Sequence, residues 1–392
     1  MQPSCGCGEP TCGVAGGPSG CALTGKDPFT LFGKDSSGIS IGGWISAGYH
    51  NKALPLFNAH PDRFNVHQAW VYAEKVADGS NGFGLGGRID YVYGVDAQDT
   101  QAFGIDDDHW DNDWDNGIYG HAIPQLYVEA AYGNASIKVG HFYTVLGWEV
   151  VGAPDNFFYS HAYTFNNSEP FTHTGTLTTI TPNDKLTLYG GYVLGWDSGF
   201  ADNGDAFLGG VSNGLGENIN LTYATSIGTF AEDNTGVLEE GYMHSIVADV
   251  TLTDKLQYVF QSDLLDSEDA AGLAVRDTFG INNYLIYNMN EKVSVGTRIE
   301  WWQVSLDSQG FYGDVANPAA ISSAASNLGD FDVAALTLGM NYRVCSHFTL
   351  RPEIRWDWVD ADLSQLNAAD TTILENNDDR QTTFGFDAIV TF

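Results

Sequence analysis

From Ile39 to the C-terminus the chain breaks into runs of about ten residues in which apolar and polar side chains alternate, and the links between runs are alternately short and long. A period of two sends successive side chains to opposite faces of a strand, so each run builds a strand with one greasy face. The pattern predicts sixteen strands, near 39–49, 65–76, 83–95, 121–132, 135–146, 172–181, 185–196, 206–213, 217–228, 241–252, 255–265, 276–289, 292–305, 331–343, 347–358 and 380–392. The short links read Gly133-Asn134, Pro182–Asp184, Gly214–Gly216, Thr253-Asp254, Asn290-Glu291 and Cys345-Ser346, residues that favour tight turns. Three turns share one pattern, NDKL from Asn183, TDKL from Thr253 and NEKV from Asn290, as a repeated hairpin requires.

A soluble sandwich would alternate in the same way, but its strands average about 5–6 residues. Longer runs tipped by Trp, Tyr and Phe match tilted, membrane-crossing strands with aromatic girdles. The chain holds Gly 46, Tyr 19, Phe 22 and Trp 10 against only 16 Lys+Arg, a balance that favours strands and turns over helices. No stretch approaches the roughly 20 apolar residues of a membrane helix, which leaves the closed barrel as the spanning structure that satisfies its backbone in lipid. The final strand places Phe384, Phe386, Ala388, Val390 and Phe392 on one face and ends the chain on an aromatic. As a free edge it would invite aggregation; closed against the first strand it leaves no edge. The predicted fold class is all-β, a transmembrane antiparallel up-and-down barrel of about 16 strands, with short periplasmic turns and long acidic outer loops.

A formal net charge of -34 repels nucleic-acid phosphates, so the partners expected are membrane lipid, ions and small polar solutes. Residues 1–35 form a Gly/Pro-rich leader carrying Cys5, Cys7, Cys12 and Cys21, and 36–392 the barrel. Met1 is not followed by a basic and then apolar segment, so the reading is of a chain whose export signal is gone. In an oxidising compartment the leader cysteines could form two disulfides by any of three connectivities, or the leader is a flexible tail. Cys345 reads as alone and inert.

The stretch from Val139 to Phe200, with NFFYSHAY at Asn156–Tyr163, PFTHTG at Pro170–Gly175 and YGGYVLGWDSGF after it, closely resembles the OmpL-like β-barrel porin family of outer-membrane proteins. The resemblance implies a porin-type passive channel in the outer membrane of a Gram-negative-type envelope, and it carries no catalytic residues. Two enzyme-like patterns fail on context. GFGLGG at Gly82–Gly87 continues as a strand instead of opening a helix, and GVSNG at Gly210–Gly214 has no strand-to-helix turn.

The acidic run Asp106–Gly117 places Asp111, Asp113 and Asp115 at alternate positions, as in a calcium loop, with Asp106, Asp107 and Asp108 before them. Asn116 stands where such a loop requires Gly, and Ala122 where it requires Glu. The reading is either a Ca2+ site in an outer loop or a solvated acidic loop, and no cofactor is required.

Selectivity in a channel is set by charged side chains at its constriction. With apolar faces outward, Arg298, Glu300, Arg343, Arg351, Glu353, Arg355 and Asp357 point inward on adjacent late strands, and Arg88, Asp90, Glu129, Lys138, Asp249, Asp263 and Asp387 elsewhere. The loop from Gly147 to Phe171 carries Glu149, Asp155 and Glu169 and occupies the place in the strand order where porin loops fold inward. Two arrangements follow: an acidic loop facing an arginine strip across an eyelet, or arginines and carboxylates that satisfy one another within the wall. His141, His161 and His173 lack zinc-ligand spacing and read as hydrogen-bonding groups of this loop. The expected function is a diffusion porin for small polar solutes, cation-preferring because of the acid excess, with a homotrimer expected by class. A second reading is a non-conducting structural or adhesive barrel displaying divalent-bound acidic loops. A hydrolase would need a Ser, His and acid meeting on the outer wall, and no pattern compels one.

Overall fold

The structure, a computed structural model, describes residues 38–54, 56–102, 110–201, 203–232, 238–305, 330–361, 374–375 and 378–392. Sixteen strands form the wall: β1 Ser40–His50, β2 Arg63–Lys75, β3 Phe83–Gly94, β4 in two pieces, Tyr119–Ala122 and Leu126–Tyr132, and β5 Ala135–Tyr143. They continue as β6 Thr172–Asn183, β7 Leu186–Val193, β8 Ala206–Leu215, β9 Ile219–Glu232, β10 Leu238–Thr253 and β11 Leu256–Glu268. The last five are β12 Ala274–Asn288, β13 Val293–Val304, β14 Phe331–Cys345, β15 Phe348–Asp360 and β16 Arg380–Thr391. Each predicted run is a strand at its predicted place.

Neighbours in sequence pair antiparallel around the wall, and β16 closes on β1 from Trp44↔Thr391 to His50↔Gly385. The terminal residue joins the seam, with Gly43 N–H donating to Phe392 O at 3.0 Å and Phe392 N–H to Gly43 O at 2.9 Å. Closure gives each wall strand two hydrogen-bonded neighbours, the condition for standing in hydrocarbon. Ile41, Ile45, Leu85, Ile89, Val128, Val139, Leu188, Phe207, Ile227, Ile246, Leu285, Ile299 and Leu338 form the exposed outer belt. The inward parity carries Arg88, Asp90, Asp263, Arg298, Glu300, Arg351, Glu353, Arg355, Asp357 and Asp387, as alternation predicts.

Two local features depart from expectation. β4 is interrupted at 123–125, where Pro124 has no N–H for the ladder, and β3 pairs with both pieces. Cys345, read as solitary, is disulfide-bonded, which corrects that reading. Its partner lies outside the described residues, as do Cys5, Cys7, Cys12 and Cys21. Spacing along the chain does not measure reach in space, and grouping the cysteines by sequence left this one out.

Candidate functional site

The long segment between β5 and β6 turns into the barrel. It carries a single 3-10 turn at Ala153–Asp155 and the one α-helix among the described residues, α1 Tyr163–Ser168. Its apolar side chains Val151, Ala153, Ala162, Phe165 and Phe171 pack with Trp44, Phe57, Trp70 and Val92 in one buried cluster. Trp44 and Trp70 stack at 4.7 Å between ring centroids.

Backbone polar groups in so irregular a segment need partners, and the inward charges of the late strands supply them. Arg351 grips Asp387 with Nε and Nη2, at 2.8 and 2.7 Å, and its Nη1 donates to Ala153 O, Asn156 O and Phe158 O at 2.8, 2.7 and 3.0 Å. Arg298 donates through Nε to Glu300 at 2.7 Å and through Nη1 to Glu149 at 2.8 Å and Ser160 O at 2.7 Å. Arg355 pairs with Asp357 at 2.7 Å and donates to His161 O at 2.7 Å. The carboxylates serve the loop's amides in turn: Glu353 accepts from Tyr159 N–H at 2.9 Å and from the Ser160 hydroxyl, and Glu300 accepts from Tyr163 N–H at 2.9 Å. Phe158 and Tyr163 lie under the Arg298 and Arg355 guanidinium planes, 5.1 and 4.7 Å from centroid to Cζ.

This settles between the two expected arrangements. Arg298 is 0% exposed and Arg355 2%, so the arginine strip does not face an open eyelet across from the loop; it is covered by the loop and neutralised in place. A transverse field between loop acid and strip is therefore corrected to direct pairing. Glu149 touches Arg298, His161 Nδ1 and Ala162 N–H. Burial alone would push its carboxyl up, but Arg298 and these donors hold it down at about 2. Glu169 sits against Gln261 and Asp263 of β11, and burial, then its acidic neighbour, raise it well above the ordinary carboxylate range. Asp155 ends the short turn Ala153–Asp155 with its side chain exposed, and desolvation by the protein around it raises its carboxyl against the opposing pull of Arg88.

Arg343 points inward as predicted but lies near the short-turn end of β14, half-buried and apart from the network. The histidines hydrogen-bond as expected: His141 Nδ1 with Thr174 Oγ1, His161 with Glu149, and His173 Nε2 with Thr144 Oγ1 at 3.1 Å. In the acidic outer segment, Asp111 is buried and accepts from Ala102 N–H and Ile123 N–H, while Asp115 accepts from Gln101. Asp113 is exposed; Asp106, Asp107 and Asp108 lie outside the described residues. Among the described residues no three His, Cys, Asp or Glu side chains group as a metal site.

Two parts of the site escaped the sequence reading. The first is a row of inward glycines that clears a seat for the loop. A side chain at Gly296 would meet Phe157 at 2.5 Å, one at Gly339 Phe158 at 2.9 Å, one at Gly385 Tyr159 at 2.7 Å and one at Gly280 Thr164. The second is a chain of hydrogen bonds across the seam from β16, on β1 and β2: Asp96 Oδ1 to His67 Nδ1 at 2.9 Å, His67 Nε2 to Tyr159 OH at 2.7 Å, and Tyr159 OH to His50 Nδ1 at 2.9 Å.

Comparison with known proteins agrees with this geometry. The solved structures it resembles include OmpT, an outer-membrane protein of Vibrio cholerae, with TM-score 0.57, 11% identity and coverage of 90% of this chain and 97% of that one. They also include the outer-membrane channel DcaP of Acinetobacter baumannii, with TM-score 0.56, 10% identity and coverage of 92% and 99%. A third is an anion-selective porin from Comamonas acidovorans, with TM-score 0.57, 9% identity and coverage of 90% and 99%. At such identities the likeness speaks to the fold. No curated protein sequence gives a significant match. Residues 38–392 match the family described as beta-barrel porin-2, OmpL-like, and with sixteen strands closed around an inward loop the chain belongs to that family of porin-type outer-membrane barrels.

Proposed function

We propose that the protein is a passive diffusion channel for small polar solutes and ions, with a preference for cations, and that the inward loop 147–171 sets its bore. The inward seating of this loop carries the reading. A display barrel would project its long loops outward, whereas this segment commits its carbonyls and amides to the barrel wall.

The cation preference rests on which charges a permeant ion meets. Arg88, Arg276, Arg298, Arg351 and Arg355 are buried and each is paired with a carboxylate. Solvent in the lumen reaches Asp155 at the loop tip and the half-buried Glu74, Glu129 and Asp249, opposed by the half-buried Lys138 and Arg343. Fixed charge lining the path selects counter-ions. The fold does not decide the sign, since one neighbour is described as an anion-selective porin. Association as a homotrimer is part of the proposal, supported by the trimer form recorded for a Vibrio cholerae neighbour.

Single-channel recording of the refolded protein in planar bilayers under a salt gradient tests the reading. Stepwise conductance with a cation-directed reversal potential supports it. A folded, inserted and silent barrel overturns it in favour of a structural barrel.

A further inference from the structure

We propose that Tyr159 is the positioning residue of the constriction loop, and that its placement between His50 and His67 makes the bore sensitive to protons. This rests on the channel reading above.

Tyr159 lies on the loop, while His50 and His67 project from β1 and β2, and Asp96 follows β3. The phenol hydroxyl thus joins the loop to the first three strands, just as its amide joins the loop to Glu353 on β15. One proton count satisfies the chain. His67 donates from Nδ1 to the Asp96 carboxylate, its Nε2 accepts the Tyr159 hydroxyl proton, and the phenol oxygen accepts from His50 Nδ1. His50 Nε2 is then a bare, buried nitrogen, and it has no hydrogen-bond partner. This count keeps both imidazoles neutral.

Adding a proton to each ring breaks it. Two imidazolium ions would stand with ring centroids 6.1 Å apart, and both would present N–H to one phenol oxygen. The hydroxyl proton would then lose His67 as its acceptor. Counter-charge nearby is already engaged. Asp387 of β16 is gripped by Arg351 of β15, Glu353 of β15 holds Ser160, and Asp96 faces a single His. The remaining facing groups are His60 beyond β1 and His161 on the loop, neither of which offers negative charge. Repulsion on that side loosens Tyr159 and lets the loop move off the β1–β2 wall, which widens the bore in acid.

The test is single-channel conductance from about pH 8 to about pH 3, because burial delays the charging of an enclosed imidazole to lower pH. Wild-type steps are expected to grow as pH falls, by about twofold, as befits a shift in a loop that lines a narrow path. Tyr159→Phe, which keeps the ring over Gly385 but cannot join the chain, is expected to conduct at the larger level at neutral pH and to lose the pH response. His50→Gln, which supplies an uncharged donor, is expected to flatten the response, and it serves if the Tyr159 variant does not assemble. Amide exchange across 147–171, corrected for its intrinsic pH dependence, is expected to quicken in acid for the wild type alone. Conductance that is steady across the range, or a pH profile unchanged in His50→Gln, overturns the positioning role while leaving a channel. Silence at each pH from an inserted barrel overturns the channel reading, and this proposal with it.

Discussion

The two halves of the lumen are built on different terms. Toward the long loops the inner wall is dry where the loop covers it: Trp302, Arg298, Arg355, Tyr163, Tyr284, Phe230, Leu208 and Met243 are fully buried. Toward the short turns the inward side chains Tyr72, Glu74, Tyr127, Glu129, Lys138, Asp249 and Gln257 are only half-buried, and their contacts are short-range. Lys138 lies over the Tyr127 ring at 4.5 Å, and Gln257 donates to Asp249 at 2.8 Å. The same alternation that places charge inward therefore serves two ends. In the dry half, charge holds a loop, because a buried ion must be paired and its hydrogen bonds completed. In the wet half it faces solvent and acts on whatever passes.

Substitutions in the two halves should differ in kind. The largest effect is expected from Arg298→Ala, which takes from the buried Glu149 and Glu300 the guanidinium they share and frees Ser160 O. Removing one partner of a buried pair costs roughly 3–5 kcal/mol. Denaturant titration of the refolded barrel should show that loss, and a change under 1 kcal/mol, the scale of an exposed pair, would mean the dry half is not dry. Next is Gly339→Phe. A ring in the seat of Phe158 should lift the loop and raise conductance about threefold with the strands intact by circular dichroism, whereas unchanged conductance would separate the loop from the bore.

A smaller effect belongs to Glu169. Its carboxyl is raised in the folded state by burial and by Asp263, so its contribution to stability is complete below the ordinary carboxylate range and is lost as pH rises through the raised value. Glu169→Gln should remove that alkaline loss, seen as a melting midpoint higher by about 3 °C at high pH and equal to wild type in mild acid. Glu149, held down at about 2, should behave oppositely, its contribution being lost only as pH falls below the usual carboxylate value toward 2. The smallest structural effect is expected for Asp155→Asn in the wet half: stability within about 0.5 kcal/mol of wild type and a reversal potential displaced toward anions. A stability loss beyond that would assign Asp155 to the dry half.

The strands and their faces could be read from the chain because a period of two is local, and Phe348–Trp358 shows the alternation residue by residue. The inward turn of the loop was expected from its place in the strand order. What covers a face is not local. Arg298, Arg351 and Arg355 look the same in sequence whether they border water or lie beneath Ser160 and His161. Gly296 and Gly339 pass as strand glycines until Phe157 and Phe158 are seen above them. Tyr159 was within a recognised motif, but its partners His67 and His50 are 92 and 109 positions away, and nothing in the motif points to them. The disulfide of Cys345 escaped for the same reason.

The loop's anchoring also ties its seat to the closing strands. Its bonds to the late strands join residues separated by 137 positions for Tyr163 and Glu300 and by 198 for Ala153 and Arg351. Contacts of such separation are slow to form, because the chain between them must be closed before any bond rewards it. A wall without β13, β15 and β16 has neither a closed seam nor the side chains that seat the loop, so closure of the wall and narrowing of its interior draw on the same strands.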